Sequence, residues 1–310
     1  MFKIFKIKCQ KSIISDIFFL LLQLKIKNMN VNEKISQLID LAIQEDIGDG
    51  DHTSISTIPV DAVGTATLYS KDVGILAGVQ IARKVLEKID KDIESYIFLS
   101  DGSSLEKGDK IFTLRGKSRS ILMAERLMLN FMQRMSGIAT QTHQYAKLIA
   151  DLPTKVLDTR KTTPNMRIFE KMAVEIGGGV NHRMGLYDMI MIKDNHVDFA
   201  GGIENAILKA YNYIKKNKLD IQIEIEVRNF QELNEVIRVG KIQRIMLDNF
   251  SVGNTKSAVR IVAGRYEIES SGNINLQTIR DYALCGVDYV SVGALTHQIS
   301  SLDLSLLAEK

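Results

Sequence analysis

Apolar residues first take up a helical rhythm between Val31 and Glu45, where Ile35, Leu38, Ile39, Ala42 and Ile43 recur on one face. Gly48-Asp49-Gly50-Asp51 breaks it. Short alternating runs follow, Ala66 to Tyr69 and Lys110 to Arg115, separated by turn signals at Asp101-Gly102 and Lys107-Gly108-Asp109. Alternation predicts half-buried strands, while Gly78 to Ile89 and Ser118 to Met135 read as helices. Together they form a small α+β unit closed by a long helix. Ser136-Gly137 is expected to end that helix, and a second helix is expected from Ile138 to Ala150.

Beyond Pro153 the rhythm changes. Strand-like runs fall at Lys155 to Leu157, Asp188 to Ile192, Gln222 to Val227, Arg244 to Leu247, Tyr266 to Glu269 and Tyr289 to Val292. Helical patterns fill several gaps, at Ala200 to Lys216, Phe230 to Val239 and Leu276 to Cys285. Strands alternating with helices predict βα units and a parallel sheet. Roughly six or seven such units in about 150 residues predict a closed or nearly closed α/β barrel.

The placement of polar residues gives this reading its chemistry. Leu157 is followed by Asp158-Thr159-Arg160-Lys161, Ile192 by Lys193-Asp194-Asn195-His196, and Leu247 by Asp248-Asn249. Glu226 lies near the end of its strand, Ser271-Gly272-Asn273 follows Glu269-Ser270, and Gly293-Ala294 follows Val292. In a βα barrel such positions converge on one rim, where active sites are built. An isolated Arg-Lys pair is usually a solvated loop. Here Arg160, Lys161, His182, Arg183 and Lys193 form separate basic clusters on one predicted rim, which implies a polyanionic ligand. Glu224 and Glu226 point to one side of their strand and, with the apolar residues facing the helices, would face the barrel interior. Glu226 with Asp248 could hold Mg²⁺ or ribose hydroxyls. The small residues Ser271 to Asn273 and Val292 to Ala294 end the last two strands, a common place for phosphate.

Composition narrows the class. In 310 residues, 45% hydrophobic and 25% charged describes a soluble globular protein, and a net charge of +3 without a polybasic run argues against nucleic acid as the main partner. Cys9 and Cys285 lack metal-type spacing, so a reduced, cytoplasmic protein is expected. The stretch Met1 to Asn28 carries Lys3, Lys6, Lys8 and Lys11 before the apolar run Ile17 to Leu22. That imitates a signal peptide without its small-residue cleavage site, and it is shorter than the ~20 residues of a membrane helix. Residues 1–28 are therefore expected to be a leader outside the fold, not a membrane anchor. His52, His143 and His297 are expected in buried or capping roles, the methionines from Met123 to Met135 in packing, and Cys285 as a buried small hydrophobe. Gly177-Gly178-Gly179 lacks the strand–turn–helix context of a dinucleotide site.

Taken in order, Met123 to Asn130 (MAERLMLN), Ser136 to Thr140 (SGIAT), Asp158 to Pro164 (DTRKTTP), Gly177 to Leu186 (GGGVNHRMGL), Ile192 to His196 (IKDNH) and Ser291 to His297 (SVGALTH) resemble the quinolinate phosphoribosyltransferases, also called nicotinate-nucleotide pyrophosphorylases (carboxylating). The similarity runs from about Ile35 to the C-terminus. It implies a pentosyltransferase of de novo NAD biosynthesis that makes nicotinate mononucleotide, CO₂ and pyrophosphate from quinolinate and phosphoribosyl pyrophosphate. It also implies a homodimer of two-domain subunits, an N-terminal α/β sandwich over 29–137 and an incomplete, roughly seven-stranded barrel of TIM-barrel type over 138–310. Carried over residue by residue, Arg160, His182, Arg183 and Lys193 would bind the quinolinate carboxylates beside Thr159, with Arg126 reaching into the partner's site. Lys161, Glu226 and Asp248 would serve phosphoribosyl pyrophosphate and Mg²⁺, the two acids as direct or indirect metal ligands. Ser271, Gly272, Asn273, Val292, Gly293 and Ala294 would cradle the 5′-phosphate. Lys161, Lys193, Glu226 and Asp248 would be the catalytic set.

Two features depart from the family pattern. Arg228 stands where an acid is common, and Lys241 to Arg244 holds one extra residue. Rival readings are a nicotinate-specific paralogue, a Schiff-base aldolase using Lys193, and a non-catalytic sugar-phosphate binder. The first would need fewer cations than Arg126, Arg160, Arg183 and Lys193 provide.

Overall fold

The structure, a computed structural model, describes residues 30–309. The expected leader, residues 1–28, lies outside the described residues. The first described helix, α1 (Val31–Ile47), starts where local chemistry starts it. Asn30 accepts from the Glu33 backbone N–H at 2.9 Å while the Glu33 carboxylate accepts from the Asn30 N–H at 3.1 Å, a reciprocal cap. Gly48, at φ 56°, ends it. This helix belongs to a unit ending at Gly50, and the residues from Asp51 onward form a second compact unit.

In the second unit, the short α2 (His52–Thr57) precedes β1 (Val63–Ser70), β2 (Gly74–Ile75), α3 (Val79–Ile89), β3 (Glu94–Ile97), β4 (Ser104–Leu105), β5 (Lys110–Lys117) and α4 (Ser118–Leu148). β1, β5 and β3 form an antiparallel sheet whose far edge is β12 (Leu304–Ala308), so the chain returns to this sheet at its end. Leu68, Leu76, Leu105, Ile111, Leu114, Met128 and Met132 build a core in which each is fully buried. Each such side chain contributes about 1.5–3 kcal/mol relative to exposure. The methionines at 128, 132 and 135 are packing residues, as expected.

The expected break at Ser136-Gly137 does not occur; α4 runs through both residues. Ser136 Oγ accepts from Ala77 N–H at 2.9 Å and donates to Ala77 O at 3.1 Å. A Cβ on Gly137 would lie 2.2 Å from Ser300 O. Gly137 therefore lets another segment cross the helix closely, and that packing outweighs the roughly 1 kcal/mol a mid-helix glycine costs.

From β6 (Lys155–Leu157) the chain alternates: α5 (Arg167–Ile176), β7 (Met189–Ile192), α6 (Asp194–Ala200), α7 (Ile203–Asn217), β8 (Gln222–Val227), α8 (Phe230–Val239), β9 (Arg244–Asp248), α9 (Val252–Val262), β10 (Glu267–Ser271), α10 (Ile279–Ala283), β11 (Tyr289–Ser291) and α11 (Ala294–His297). The helix expected from Ala200 begins only at Ile203, because Gly201 and Gly202 sit at φ 85° and 115° between α6 and α7. All six strands are parallel, in the order β6-β11-β10-β9-β8-β7. Beyond β6 the seventh strand is reduced to one bridge, Leu157 to Val180. Arg183 crosses from that segment to β7 by donating to Met189 O at 3.2 Å. The result is an incomplete α/β barrel. On β8 the apolar Ile223, Ile225 and Val227 are buried and alternate with Glu224 and Glu226. Among the described residues no helix is long and apolar enough to cross a membrane.

Candidate active site

A cleft of about 920 Å³ opens over the C-terminal ends of the parallel strands. It gathers Thr159, Arg160 and Lys161 after β6, His182 and Arg183 after the Val180 bridge, and Lys193 after β7. Glu226 of β8, Asp248 of β9, Ser271, Gly272 and Asn273 after β10, and Gly293 and Ala294 after β11 complete the set. Two expected residues are elsewhere. Val292 is buried, with its N–H given to Leu157 O at 2.9 Å. Arg126 of α4 is exposed and lines a separate groove of about 310 Å³ with Lys71, Gln133 and Asp303.

The loop after β6 is strapped down by residues distant in sequence. Arg134 of α4 donates to Glu170 Oε1 at 2.6 Å and to Thr163 Oγ1 at 2.8 Å. Glu170, buried on α5, also accepts from Thr163 N–H at 3.2 Å. Thr296 Oγ1 donates to Lys161 O at 2.8 Å, and Arg167 Nε to Thr162 Oγ1 at 2.9 Å. No local pattern marks Arg134 or Glu170 as parts of a site, and Thr296, although within Ser291 to His297, had no role assigned.

The cleft floor rests on buried charge. Lys171 and Asp158, both fully buried, pair at 2.5 Å. Asp158 also accepts from His182 N–H at 2.7 Å, and Lys171 donates to His182 O at 2.9 Å. Burial outweighs the attraction of Lys171 and raises Asp158 to about 6; burial likewise lowers Lys171 despite Asp158. Below, His182 Nε2 lies 3.0 Å from Glu224 Oε2 and 3.5 Å from Glu269 Oε2. Neither contact is aligned as a hydrogen bond. Burial disfavours the charged ring, yet the two glutamates outweigh it and raise His182 to about 9. The Arg183 N–H, 2.6 Å from Nδ1, opposes them by favouring a ring with its proton on Nε2. Burial and Glu269 raise Glu224, whereas the contacts with His182 outweigh burial and hold Glu269 below its ordinary value.

Above this floor the cations are nearly bare. Lys193 is paired with Glu226, but among the described residues no acid pairs with Arg160, Lys161 or Arg183. Arg160 Nε is buried without a partner. Burial and the neighbouring charge of Arg160 lower the pKa of Arg183. Like charges held together without a counter-ion make a site for an anion. Opposite them, Gly272 at φ 101° comes so close to Asn249 that a Cβ would lie 2.2 Å from its Oδ1. A backbone at that φ is one only glycine takes up freely.

Two expectations change. His297 lines the cleft and is exposed, and His52 and His143 are exposed too, because each lies on a surface turn of its helix. Cys285 is only partly buried just beyond α10. Arg228 forms an exposed pair with Glu232 on the first turn of α8, away from the cleft. Before β9 the chain turns at Gly240 and Lys241, φ 66° and 61°, with Lys241 over the Tyr211 ring.

Comparison with known proteins follows the same line. Residues 51–136 match the family described as quinolinate phosphoribosyl transferase, N-terminal domain, and residues 138–307 match its C-terminal domain. The chain is 43% identical over 286 residues to quinolinate phosphoribosyltransferase [decarboxylating] 1b of Nicotiana tabacum, covering 87% of this chain and 81% of that one. It is 38% identical to the probable nicotinate-nucleotide pyrophosphorylase [carboxylating] of Bacillus subtilis, over 88% and 93% of the two chains. The solved nicotinate-nucleotide pyrophosphorylase of Francisella tularensis superposes with a TM-score of 0.84 at 41% identity, over 91% and 98%.

Proposed function

This chain belongs to the quinolinate phosphoribosyltransferase family, and from that premise we propose that it converts quinolinate and phosphoribosyl pyrophosphate to nicotinate mononucleotide, CO₂ and pyrophosphate on the path to NAD. The observation that carries this reading is the group of cations Arg160, Lys161 and Arg183, without an ion pair among the described residues, beside the Lys193–Glu226 pair, all in one cleft. A ring with two adjacent carboxylates and a sugar bearing three more phosphate groups is a ligand of matching charge.

In this reading the forks of Arg160 and Arg183 take the quinolinate carboxylates, and Lys193 adds a point charge. His182 lines the floor beneath them. Lys161 meets the pyrophosphate, while Gly272, Asn273, Gly293 and Ala294 offer backbone and small side chains to the 5′-phosphate. Held so, the ring nitrogen faces C1 of the ribose, and proximity supplies much of the rate. As the bond from C1 to pyrophosphate breaks, the carboxylates of Glu226 and Asp248 stabilise the positive charge developing on the sugar. The new C1–N bond leaves the ring cationic, so it can accept the electron pair released when CO₂ departs, and that carbon takes up a proton.

Glu226 and Asp248 also fit Mg²⁺. They stand on neighbouring parallel strands, facing the cleft, and offer the one or two carboxylate oxygens this ion uses beside substrate phosphates. These two carboxylates would hold Mg²⁺ together with the substrate, and the ion would supply neutralising charge to the pyrophosphate. Arg126, outside the cleft of its own chain, acts in this reading on the cleft of a second copy in a homodimer. We place the enzyme in the cytoplasm, with no nucleic-acid or membrane partner.

The test is formation of CO₂ and nicotinate mononucleotide from quinolinate, phosphoribosyl pyrophosphate and Mg²⁺, with nicotinate as a parallel substrate. Product from quinolinate alone is expected. Product from nicotinate alone, or from neither, would overturn the proposal.

A further inference from the structure

At the cleft floor, which Glu269 helps to line, and beneath it the barrel holds charge to which the proposed reaction gives no role. Glu224 of β8, Arg244 of β9 and Glu267 of β10 stand side by side in register, and Glu269 is next along β10 on the same face. Arg244, at the end of its strand remote from the cleft, is buried among them. Its guanidinium is held in three ways. Nε and Nη2 donate to Glu267 Oε2 at 3.1 and 3.0 Å, the plane lies 4.0 Å from the centre of the Tyr289 ring, and Nη1 is 3.6 Å from Glu269 and 4.0 Å from Glu224. Glu267 is the outward anchor, with a side chain 41% exposed.

Signs alternate up the barrel, from Glu267 to Arg244, then to the pair Glu224 and Glu269, then to His182. The two middle carboxylates are fully buried, and the only cationic groups within 4.0 Å of them among the described residues are Arg244 below and His182 above, with Arg183 acting on Glu224 from farther off. His182 in turn accepts the Arg183 N–H, which sets where the Arg183 guanidinium enters the cleft. We propose that Arg244 is a positioning residue for the carboxylate-binding half of the cleft, acting through Glu224, Glu269 and His182 on Arg183. This rests on the function proposed above. Without Arg244 the pair keeps a single close cation, and Glu224, already raised by burial and Glu269, is raised further and takes up a proton, so the anchor of the His182 ring changes and the Arg183 backbone shifts with it. A lysine returns the charge but not the fork or the stacking.

The experiment is steady-state kinetics of Arg244→Met, Arg244→Lys and Glu267→Gln against wild type, with both substrates varied. The expected result is a KM for quinolinate raised about tenfold in Arg244→Met, as part of a charge-assisted contact is lost. Arg244→Lys and Glu267→Gln should lie near threefold, and the KM for phosphoribosyl pyrophosphate should stay within about twofold throughout. A purely structural role lowers the active fraction, and so kcat, without moving one KM and not the other. Equal shifts in both KM values, or none in any folded variant, would overturn the inference. If Arg244→Met does not fold, the other two variants carry the test.

A second measurement does not depend on turnover. Benzene-1,2-dicarboxylate, which has no ring nitrogen to react, is titrated into wild type and the Arg244 variants by calorimetry. Weaker binding by the same factors supports the inference even if the wild type makes no product, which would sink only the proposed reaction. Equal binding by wild type and variants, or no binding by either, overturns it.

Discussion

Replacing Lys171 by Met tests the electrostatics of the cleft floor directly. Lys171 and Asp158 are both fully buried and paired at 2.5 Å, and Lys171 also donates to His182 O. Removing one partner of a buried pair leaves an uncompensated charge, which costs about 3–5 kcal/mol. That is a large share of the about 5–15 kcal/mol that holds a typical protein folded. The cost must depend on pH. Asp158 is raised to about 6 in the folded chain, above its value when unfolded. Its folded state therefore holds the proton more tightly, and the stability this contributes is present at low pH and lost as pH rises through about 6. Without Lys171 that pKa rises further, so the gap between variant and wild type widens from pH 5 to pH 8. At pH 8 the loss should be about 3–5 kcal/mol. At pH 5, with Asp158 neutral, it should fall to about 1–3 kcal/mol, the cost of leaving the His182 carbonyl without its donor. Urea unfolding of both proteins at the two pH values measures this. A loss that is the same at pH 5 and pH 8 refutes the reasoning.

Gly272→Ala forces a Cβ to within 2.2 Å of Asn249 Oδ1 at φ 101°, and the KM for phosphoribosyl pyrophosphate should rise at least about tenfold; an unchanged KM removes Gly272 from the phosphate site. Arg134→Ala strips Glu170 of its guanidinium and frees the loop carrying Arg160 and Lys161, so thermal stability should drop by about 3 kcal/mol and kcat with it. Full activity in that variant would show that the strap does not set the loop. Homodimers of Arg126→Ala and of Arg160→Ala should each be inactive, and mixing them should restore about a quarter of the sites under random assortment. No recovery on mixing counts against Arg126 acting on the partner's cleft.

What the sequence made legible was local. Alternation on Gln222 to Val227 announced both a strand and its two inward acids, and the polar residues after each strand announced the rim. Most of the expected site residues do line one cleft. What was not legible depends on partners far apart in the chain. Gly137 reads as a breaker by propensity alone, and only the approach of Ser300 explains a glycine inside a continuous helix. The return of Leu304 to Ala308 to β1, the strap from Arg134 to Glu170, and the place of His297 in the cleft all join distant segments. Arg244 is the sharpest case. In the sequence it is one more charged residue at the start of a strand, whereas in the barrel it lies 3.6 and 4.0 Å from two buried carboxylates.

The two layers of charge explain why a barrel interior tolerates so much of it. Below the floor every ionised group has an opposite neighbour: Asp158 has Lys171, Glu224 and Glu269 have His182 and Arg244, and Arg244 has Glu267. Burying these groups is costly, and their mutual attraction offsets the cost without yielding a net gain over apolar packing. At the rim the arrangement reverses: among the described residues Arg160, Lys161 and Arg183 form no ion pair, and one lysine is held by Glu226. A fold seeking stability alone would compensate the rim and empty the floor. The opposite distribution makes sense if the floor's work is to hold the backbone of His182 and Arg183 still, so that the cations above meet an anionic ligand without first reorganising.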